Sequence, residues 1–349
     1  MTTALDLFAG HGWGVACQWL GITEHGVEIM PEAIATREAN GMSTIFYDVW
    51  AGLDWPHLVP DHDLLIASPP CQTFSMAGKG AGRQALDEVV KLIDERAYLR
   101  VDDLRAFGEK HDPRTALVLT PLAYIVRDLP RYVVLEQVPP VLPVWERYAE
   151  EMQRWGYSTW TGVLNAEQYG VPQTRRRAVL IAKRDPDLDG EALPPTPTHS
   201  RYYSRTPDKL DVGVEKWVSM AEVLGWAGRR EVVWNCGAGG GAAKRGRRSS
   251  NGPSAAVTSK IDRNRVINLD PDKPSTTVAA DPRLTSREHH YHGEQNSTST
   301  RITIDEAARL QSYPEGFIFS GTKTKQFLQV GNAVPPLLAR AILAEVLGL

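Results

Sequence analysis

The chain has 349 residues, 42% hydrophobic and 23% charged, with a net charge of −3, which suits one large domain plus a smaller one and excludes a disordered chain. Three scattered cysteines, Cys17, Cys71 and Cys236, exclude a disulfide framework and a zinc site, so no metal is expected and a reducing cytoplasm fits. Neither a signal peptide nor a long apolar span is read, so no membrane association is expected. Ala4–Phe8 reads as a first buried strand, followed by the glycine loop Ala9-Gly10-His11-Gly12-Trp13-Gly14 and a helix over 15–20. A second strand is expected around Glu24–Glu28, a helix from Pro31 to Asn40, a third strand over Thr44–Tyr47 ending at Asp48, and a fourth over Leu64–Ala67. Helical spacing covers Thr115–Arg127. A strand at Tyr132–Leu135, a helix at Val144–Trp155 and strands at Thr159–Leu164 and Ala178–Ala182 follow. This alternation predicts an α/β fold with a doubly wound, mostly parallel sheet. Pro186, Pro194, Pro195 and Pro197 mark a linker, and residues 198–300 carry little periodicity. One weak internal echo joins Pro253–Thr258 to Pro274–Ala279. Helical pattern returns at Ile304–Gln311 and again at Leu337–Leu347, opened by Pro335-Pro336.

Ser68-Pro69-Pro70-Cys71-Gln72 follows the apolar run Asp63–Ala67. Two prolines stop the strand and stiffen the backbone, so a thiol is presented at a rigid strand end, where α/β sheets place their chemistry. A thiolate is a strong nucleophile once it is held in place. The loop after Phe8 turns tightly and admits a ligand to the backbone. Glu28 ends the next strand and can accept from ribose hydroxyls, and Asp48 ends the third and can accept from an adenine amino group. No phosphate-binding lysine follows the glycines, so adenosine without a triphosphate is the better match.

These segments, in order, resemble the motifs of DNA cytosine-5 methyltransferases. Asp6–Gly10 with Gly12 resembles the S-adenosylmethionine loop, and Pro70-Cys71-Gln72 the nucleophile motif. Leu135-Glu136-Gln137-Val138 resembles the Glu-Asn-Val motif, and Gln173–Arg177 the Gln-x-Arg-x-Arg motif. Glu306–Pro314 and Gln329–Pro336 resemble the two closing elements. The match covers about 1–182 and 301–345. It implies a Rossmann-like catalytic domain over 1–185, a smaller irregular target-recognition domain over 186–300, and a return to the catalytic domain over 301–349.

The implied chemistry accounts for the residue types. Cytosine C5 is a poor carbon nucleophile. Addition of the Cys71 thiolate at C6 makes the ring an enamine, and C5 can then attack a sulfonium methyl. Glu136 would serve N3 with a proton or hydrogen bond. Of Arg175 and Arg177, alternate residues on a strand-like entry, one would hold the cytosine O2 and the other a phosphate or Glu136. S-adenosylmethionine would bind through Phe8, Gly10, Gly12, Glu28 and Asp48, with Asn332 near its methionine part. Inside a duplex the base is out of reach, so it must be flipped out. Thr73–Gly82, small and glycine-rich, would close over it.

Residues 227–265 hold nine Lys/Arg against Glu231 and Asp262, a local charge of +7 that points to a polyanion. Gln72, Ser75, Lys244, Arg245, Arg247 and Arg248 are assigned to DNA. The partner expected is double-stranded DNA, bound by a monomer in the cytoplasm of a bacterial or phage-infected cell. The same chemistry on RNA is disfavoured by the roughly 100-residue middle region, and a catalytically silent relative by the presence of Cys71, Glu136 and both arginines. Two departures stand out. Gln137 replaces the usual Asn, and about 25 residues, Gln84–His111, are inserted with amphipathic helical pattern.

Overall fold

The computed structural model describes residues 2–70, 81–110, 113–226, 230–234, 246–257, 265–268 and 299–349. Strands β1 (Thr3–Leu7), β2 (Thr23–Val27), β3 (Ser43–Phe46), β4 (Leu64–Ala67), β5 (Tyr132–Gln137), β6 (Ser158–Asn165) and β8 (Arg176–Lys183) form one seven-stranded sheet, with the two-residue β7 (Gln173–Thr174) outside it. The order is β3-β2-β1-β4-β5-β8-β6. Pairings from β3 through β5 are parallel, and β8 runs antiparallel to β5. Every residue of β4 and β5 is buried, including Glu136 and Gln137 at the end of β5, as expected of central strands in a parallel sheet. The doubly wound, mostly parallel α/β sheet expected from the alternation is therefore present.

The chain divides into two compact units, one comprising Met1–Leu164, Arg176–Thr196 and Leu338–Leu349, the other Asn165–Arg175 and Pro197–Leu337. In the first, Leu5, Leu65, Val133 and Leu180 of the sheet share a core with Leu122 and Tyr148 of the flanking helices. The inserted segment also contributes to it. Its helices Ala81–Asp94 and Val101–Lys110 send Val89, Ile93 and Leu104 into that core, and Tyr98 donates a buried 2.8 Å hydrogen bond to Glu151. The helix expected over 115–127 is two, Pro113–Leu117 and Thr120–Asp128, because Pro121 cannot continue a helix yet suits the first turn of a new one.

The second unit has a separate core of Met220, Leu224, Val257, Ile302, Leu310 and Phe327. Where little periodicity was legible, a four-stranded sheet forms from β9 (Arg230–Trp234), β10 (Gly246–Ser249), β12 (Arg265–Asn268) and β13 (Ser299–Arg301), antiparallel at each junction and ordered β10-β9-β12-β13. These strands have three to five residues each, too few to carry a clear alternation. The first half of the internal echo supplies β11 (Ser254–Ala255), which pairs in parallel with β7; Pro274–Ala279 lies outside the described residues. Thr303 and Glu306 make a reciprocal capping box on helix Ile304–Leu310. Lys323–Leu347 is apolar and long enough to span a bilayer, which the sequence reading did not register. It is more than half buried, and it is divided into helices Lys323–Asn332 and Pro336–Leu347, each short of the ~20 residues a span needs.

Ile93 is fully buried, so Ile93→Ala should destabilise the protein by about 2–5 kcal/mol in urea unfolding. A loss below about 0.5 kcal/mol, as at a surface position, would mean that the inserted helices are peripheral.

Candidate active site

Registers along the sheet place its strand-end residues in one row. Leu7 pairs with Val27 and with Ala67, and Ala67 pairs with Leu135. The next residues in each strand, Phe8, Glu28, Ser68 and Glu136, therefore line the C-terminal edge.

At β1, Phe8 takes a positive φ of 59° and Gly10 one of 48°, which turns the chain into helix Gly12–Leu20. A Cβ added at Gly10 would meet nothing within 4 Å, so the loop faces open space. Glu28 accepts from the Gly10 amide at 2.8 Å with one oxygen and from the Met30 amide at 2.8 Å with the other. Asp48 is exposed and caps helix Val49–Asp54 by accepting from the Trp50 amide at 3.1 Å. Two large apolar side chains stand out beside these carboxylates. Ile29 is 71% exposed and Tyr47 66% exposed. The sequence reading missed both; the available signal was an apolar residue directly adjoining a strand-end acid. Beneath the loop, burial raises the Asp6 carboxyl well above its ordinary range, with neighbouring Glu24 adding to the effect, and lowers the His11 imidazole to about 3.

At the centre of the row, the segment leading to Cys71 is held from both sides. Trp13, in the helix after the glycine loop, donates from Nε1 to Ser68 Oγ at 2.9 Å. Gln137 donates from Nε2 to the Pro69 carbonyl, and its Oε1 accepts from the Val138 amide at 2.5 Å. The Gln that stands in place of Asn thus reaches the Ser-Pro-Pro segment directly. Glu136 is 5% exposed, and its carboxylate pairs with Arg177 Nε at 2.6 Å. Arg177 also donates from Nη1 to the Arg176 carbonyl at 2.8 Å, and Arg176 is exposed. Cys71, Gln72 and Ser75, and 73–80 of the expected lid, lie outside the described residues; Ala81 and Gly82 begin a helix.

Arg175 belongs to the second unit and is turned to that unit's backbone. Its Nη1 donates to the Val257 carbonyl at 2.7 Å and its Nη2 to the carbonyls of Gly331 and Ala333 at 3.1 and 3.0 Å. Gln173 works alongside it, donating to the Leu310 carbonyl at 3.1 Å and accepting from the Val257 amide at 2.7 Å. Asn332 is exposed between the two carbonyls that Arg175 holds. Arg247 and Arg248 lie in β10, whereas Lys244 and Arg245 are outside the described residues.

The model of the C-5 cytosine-specific DNA methylase family matches residues 2–97 and 105–348. This chain belongs to that family. It is a DNA cytosine-5 methyltransferase, and the family match pauses only within the inserted segment. Among its relatives, the type II methyltransferase M1.HphI of Haemophilus parahaemolyticus is 32% identical over 295 residues, covering 82% of this chain and 68% of that protein. The type II methyltransferase M.AplI of Arthrospira platensis is 28% identical over 353 residues, covering 98% of this chain and 84% of its own. Two solved structures share the fold. The Entamoeba histolytica methyltransferase EhMeth superposes with a TM-score of 0.60 at 12% identity, covering 99% of this chain and 98% of that one. A DNA modification methyltransferase encoded within an Escherichia coli prophage gives 0.56 at 18% identity, covering 100% and 99%. S-adenosylmethionine is the methyl donor of this family, and DNA its substrate.

Gln137→Leu would leave the buried Pro69 carbonyl without its donor, and should cost about 1–3 kcal/mol in urea unfolding. Trp13→Phe loses the hydrogen bond to Ser68 and part of the packing of a fully buried indole, so a loss of at least about 0.5–1.5 kcal/mol is expected. Equal stability of both variants and the parent would mean that the Ser-Pro-Pro segment is held by its prolines alone.

Proposed function

We propose that this methyltransferase acts on a cytosine flipped out of duplex DNA, through a transient bond from Cys71 Sγ to C6. One observation carries the reading. Glu136, buried and paired with Arg177, shares the strand-edge row with Ser68, three residues before Cys71. In the proposed sequence the Cys71 thiolate adds to C6, and the electron pair of the C5–C6 double bond shifts through the ring toward N3. Glu136, entering the step in its protonated form with one oxygen still on Arg177, donates a proton or hydrogen bond at N3, and C5 becomes nucleophilic. Arg177 orients Glu136 and directs Nη2 to the cytosine O2. Bound S-adenosylmethionine supplies an electrophilic methyl group. After transfer, loss of the C5 proton to solvent restores the C5–C6 double bond and expels Cys71 as thiolate, while N3 returns its proton to Glu136.

The glycine loop suits this donor. Open space faces Gly10, and Glu28 has lone pairs left for ribose hydroxyls beyond those used by the Gly10 and Met30 amides. Asp48 would take the adenine amino group, with Phe8, Ile29 and Tyr47 offering apolar contact to the ring. Gly12 lets the backbone approach. Asn332 would serve the methionine part, with Arg175 acting as a positioning residue through the carbonyls on either side. Duplex DNA would be held by a monomer through the second unit, with Lys244, Arg245, Arg247 and Arg248 on phosphates, and Gln72 and Ser75 near the flipped nucleotide.

Trapping tests the chemistry. DNA with 5-fluorocytosine at the target should form a denaturation-resistant complex with the wild-type protein, because fluorine cannot leave C5 as a proton does. Cys71→Ser should form none, and equal trapping would remove Cys71 as nucleophile. Glu136→Gln should slow methylation by about 10²–10⁴-fold, and unchanged turnover would remove Glu136.

Salt dependence tests the basic cluster. Each phosphate contact contributes about −0.9 to the slope of log K against log salt. Replacing Lys244, Arg245, Arg247 and Arg248 together by Ala should flatten the slope and weaken binding to all sequences alike. A wild-type slope would reduce the cluster to a solvated loop.

A further inference from the structure

The most heavily bonded buried side chain near the glycine loop is one that the catalytic reading does not use. Arg37, in the last turn of helix Pro31–Ala39, is completely buried. Its Nη2 donates to both oxygens of Glu24, at 2.7 and 2.9 Å, and to the Ser43 carbonyl at 2.5 Å. Nε donates to Thr44 Oγ1 at 3.0 Å. The remaining contact reaches out of this cluster: Nη1 donates to the Gly10 carbonyl at 3.0 Å. The guanidinium crosses β2 directly over Gly26, where an added Cβ would lie 2.1 Å from Nη2 and 2.4 Å from Cζ. Glycine is required there by close approach, since Arg37 has five acceptors to lose by moving aside.

Gly10 is thus gripped at both ends of the same residue. Arg37 holds its carbonyl, and Glu28 holds its amide at 2.8 Å. Gly10 sits at φ +48°, in a region that glycine enters without steric cost and leaves as easily. A free glycine loop would sample many geometries, and a ligand would have to order it at the expense of affinity. A bond to each side of the residue removes that freedom before any ligand arrives.

We propose that Arg37 is a positioning residue for the methyl donor: it locks the Gly10 carbonyl so that the Gly10 amide stays on Glu28, with that carboxylate set for the ribose. The inference rests on the reading of the glycine loop and Glu28 as the cofactor site. Glu24 has a different task, neutralising the buried guanidinium. Donor affinity and methyl transfer then separate. Losing the Gly10 contact loosens the loop while Cys71 and Glu136 are untouched, so the KM for S-adenosylmethionine rises and kcat at saturating donor holds.

The experiment is calorimetry of S-adenosylhomocysteine binding to the full chain, with no catalysis involved. Arg37→Lys keeps the charge beside Glu24 but gathers its donors on one nitrogen, in place of a planar fork whose Nη2 meets Glu24 while Nη1 meets Gly10. It should bind the probe at least tenfold more weakly, with KM for the donor rising in step and kcat within twofold. Glu24→Gln, which leaves Arg37 in place, should stay within threefold of wild type. Gly26→Ala, which pushes the guanidinium off the strand, should reproduce the loss seen in Arg37→Lys. Binding within twofold of wild type in both Arg37→Lys and Gly26→Ala would overturn the proposal. So would a loss in Glu24→Gln as large as in Arg37→Lys, since general loosening would then suffice. Glu28→Ala separates the underlying reading: wild-type binding in that variant would mean that the cofactor site lies elsewhere, whatever Arg37 does.

Discussion

Strand register is the constraint from which the row of strand-end residues follows. Leu7 stands opposite both Val27 and Ala67, and Ala67 opposite Leu135. Parallel strands in that register end together, so residues far apart in sequence arrive on one line. A slip of one residue in β5 would turn Glu136 to the other face and remove it from Ser68. Burial enforces the register, because every position of β4 and β5 is buried and a slip would force charged or proline residues into the core.

Function adds polar groups to this apolar frame, and each one buried needs a partner. Trp13 meets Ser68, Gln137 meets the Pro69 carbonyl, and Glu136 meets Arg177. These contacts do two things at once. They satisfy desolvated groups, and they tie the helix after the glycine loop and strand β5 to the same Ser-Pro-Pro segment before Cys71. The chain is thereby fixed at Ser68 and Pro69, just ahead of Cys71 in the sequence. The same economy holds in the second unit, where Arg175 and Gln173 gather the backbone around Val257, Leu310 and Gly331.

The Gln-x-Arg-x-Arg run shows how adjacent residues of one motif divide their work. Arg175 and Arg177 are two positions apart, and spacing alone treats them alike. One is spent on three carbonyls within the second unit; the other pairs with Glu136 in the first. The boundary between the units falls between Arg175 and Arg176. Nothing in the residue types announces that boundary, because an arginine serves a buried carbonyl and a carboxylate with the same guanidinium.

The sequence by itself determined the sheet and the family. Apolar runs at Ala4–Phe8, broken only by Asp6, and at Leu64–Ala67 and Tyr132–Leu135 are short and soon followed by glycine, proline or acid, and such local signals survive without a fold around them. Motif order then identified the family, which the match over 2–97 and 105–348 establishes. What only the tertiary structure decided depends on contacts across long separations. Gln137 reaches Pro69 across 68 residues, Arg37 reaches Gly10 across 27, and Tyr98 brings the inserted segment onto Glu151 across 53. The four-stranded sheet of the second unit is of the same kind, since its strands are too short to show a period and exist only as they pair. Periodicity reports which face of an element is buried; it is silent on which residue of another element that face will meet, and that is where the partners of Arg37, Arg175 and Gln137 were settled.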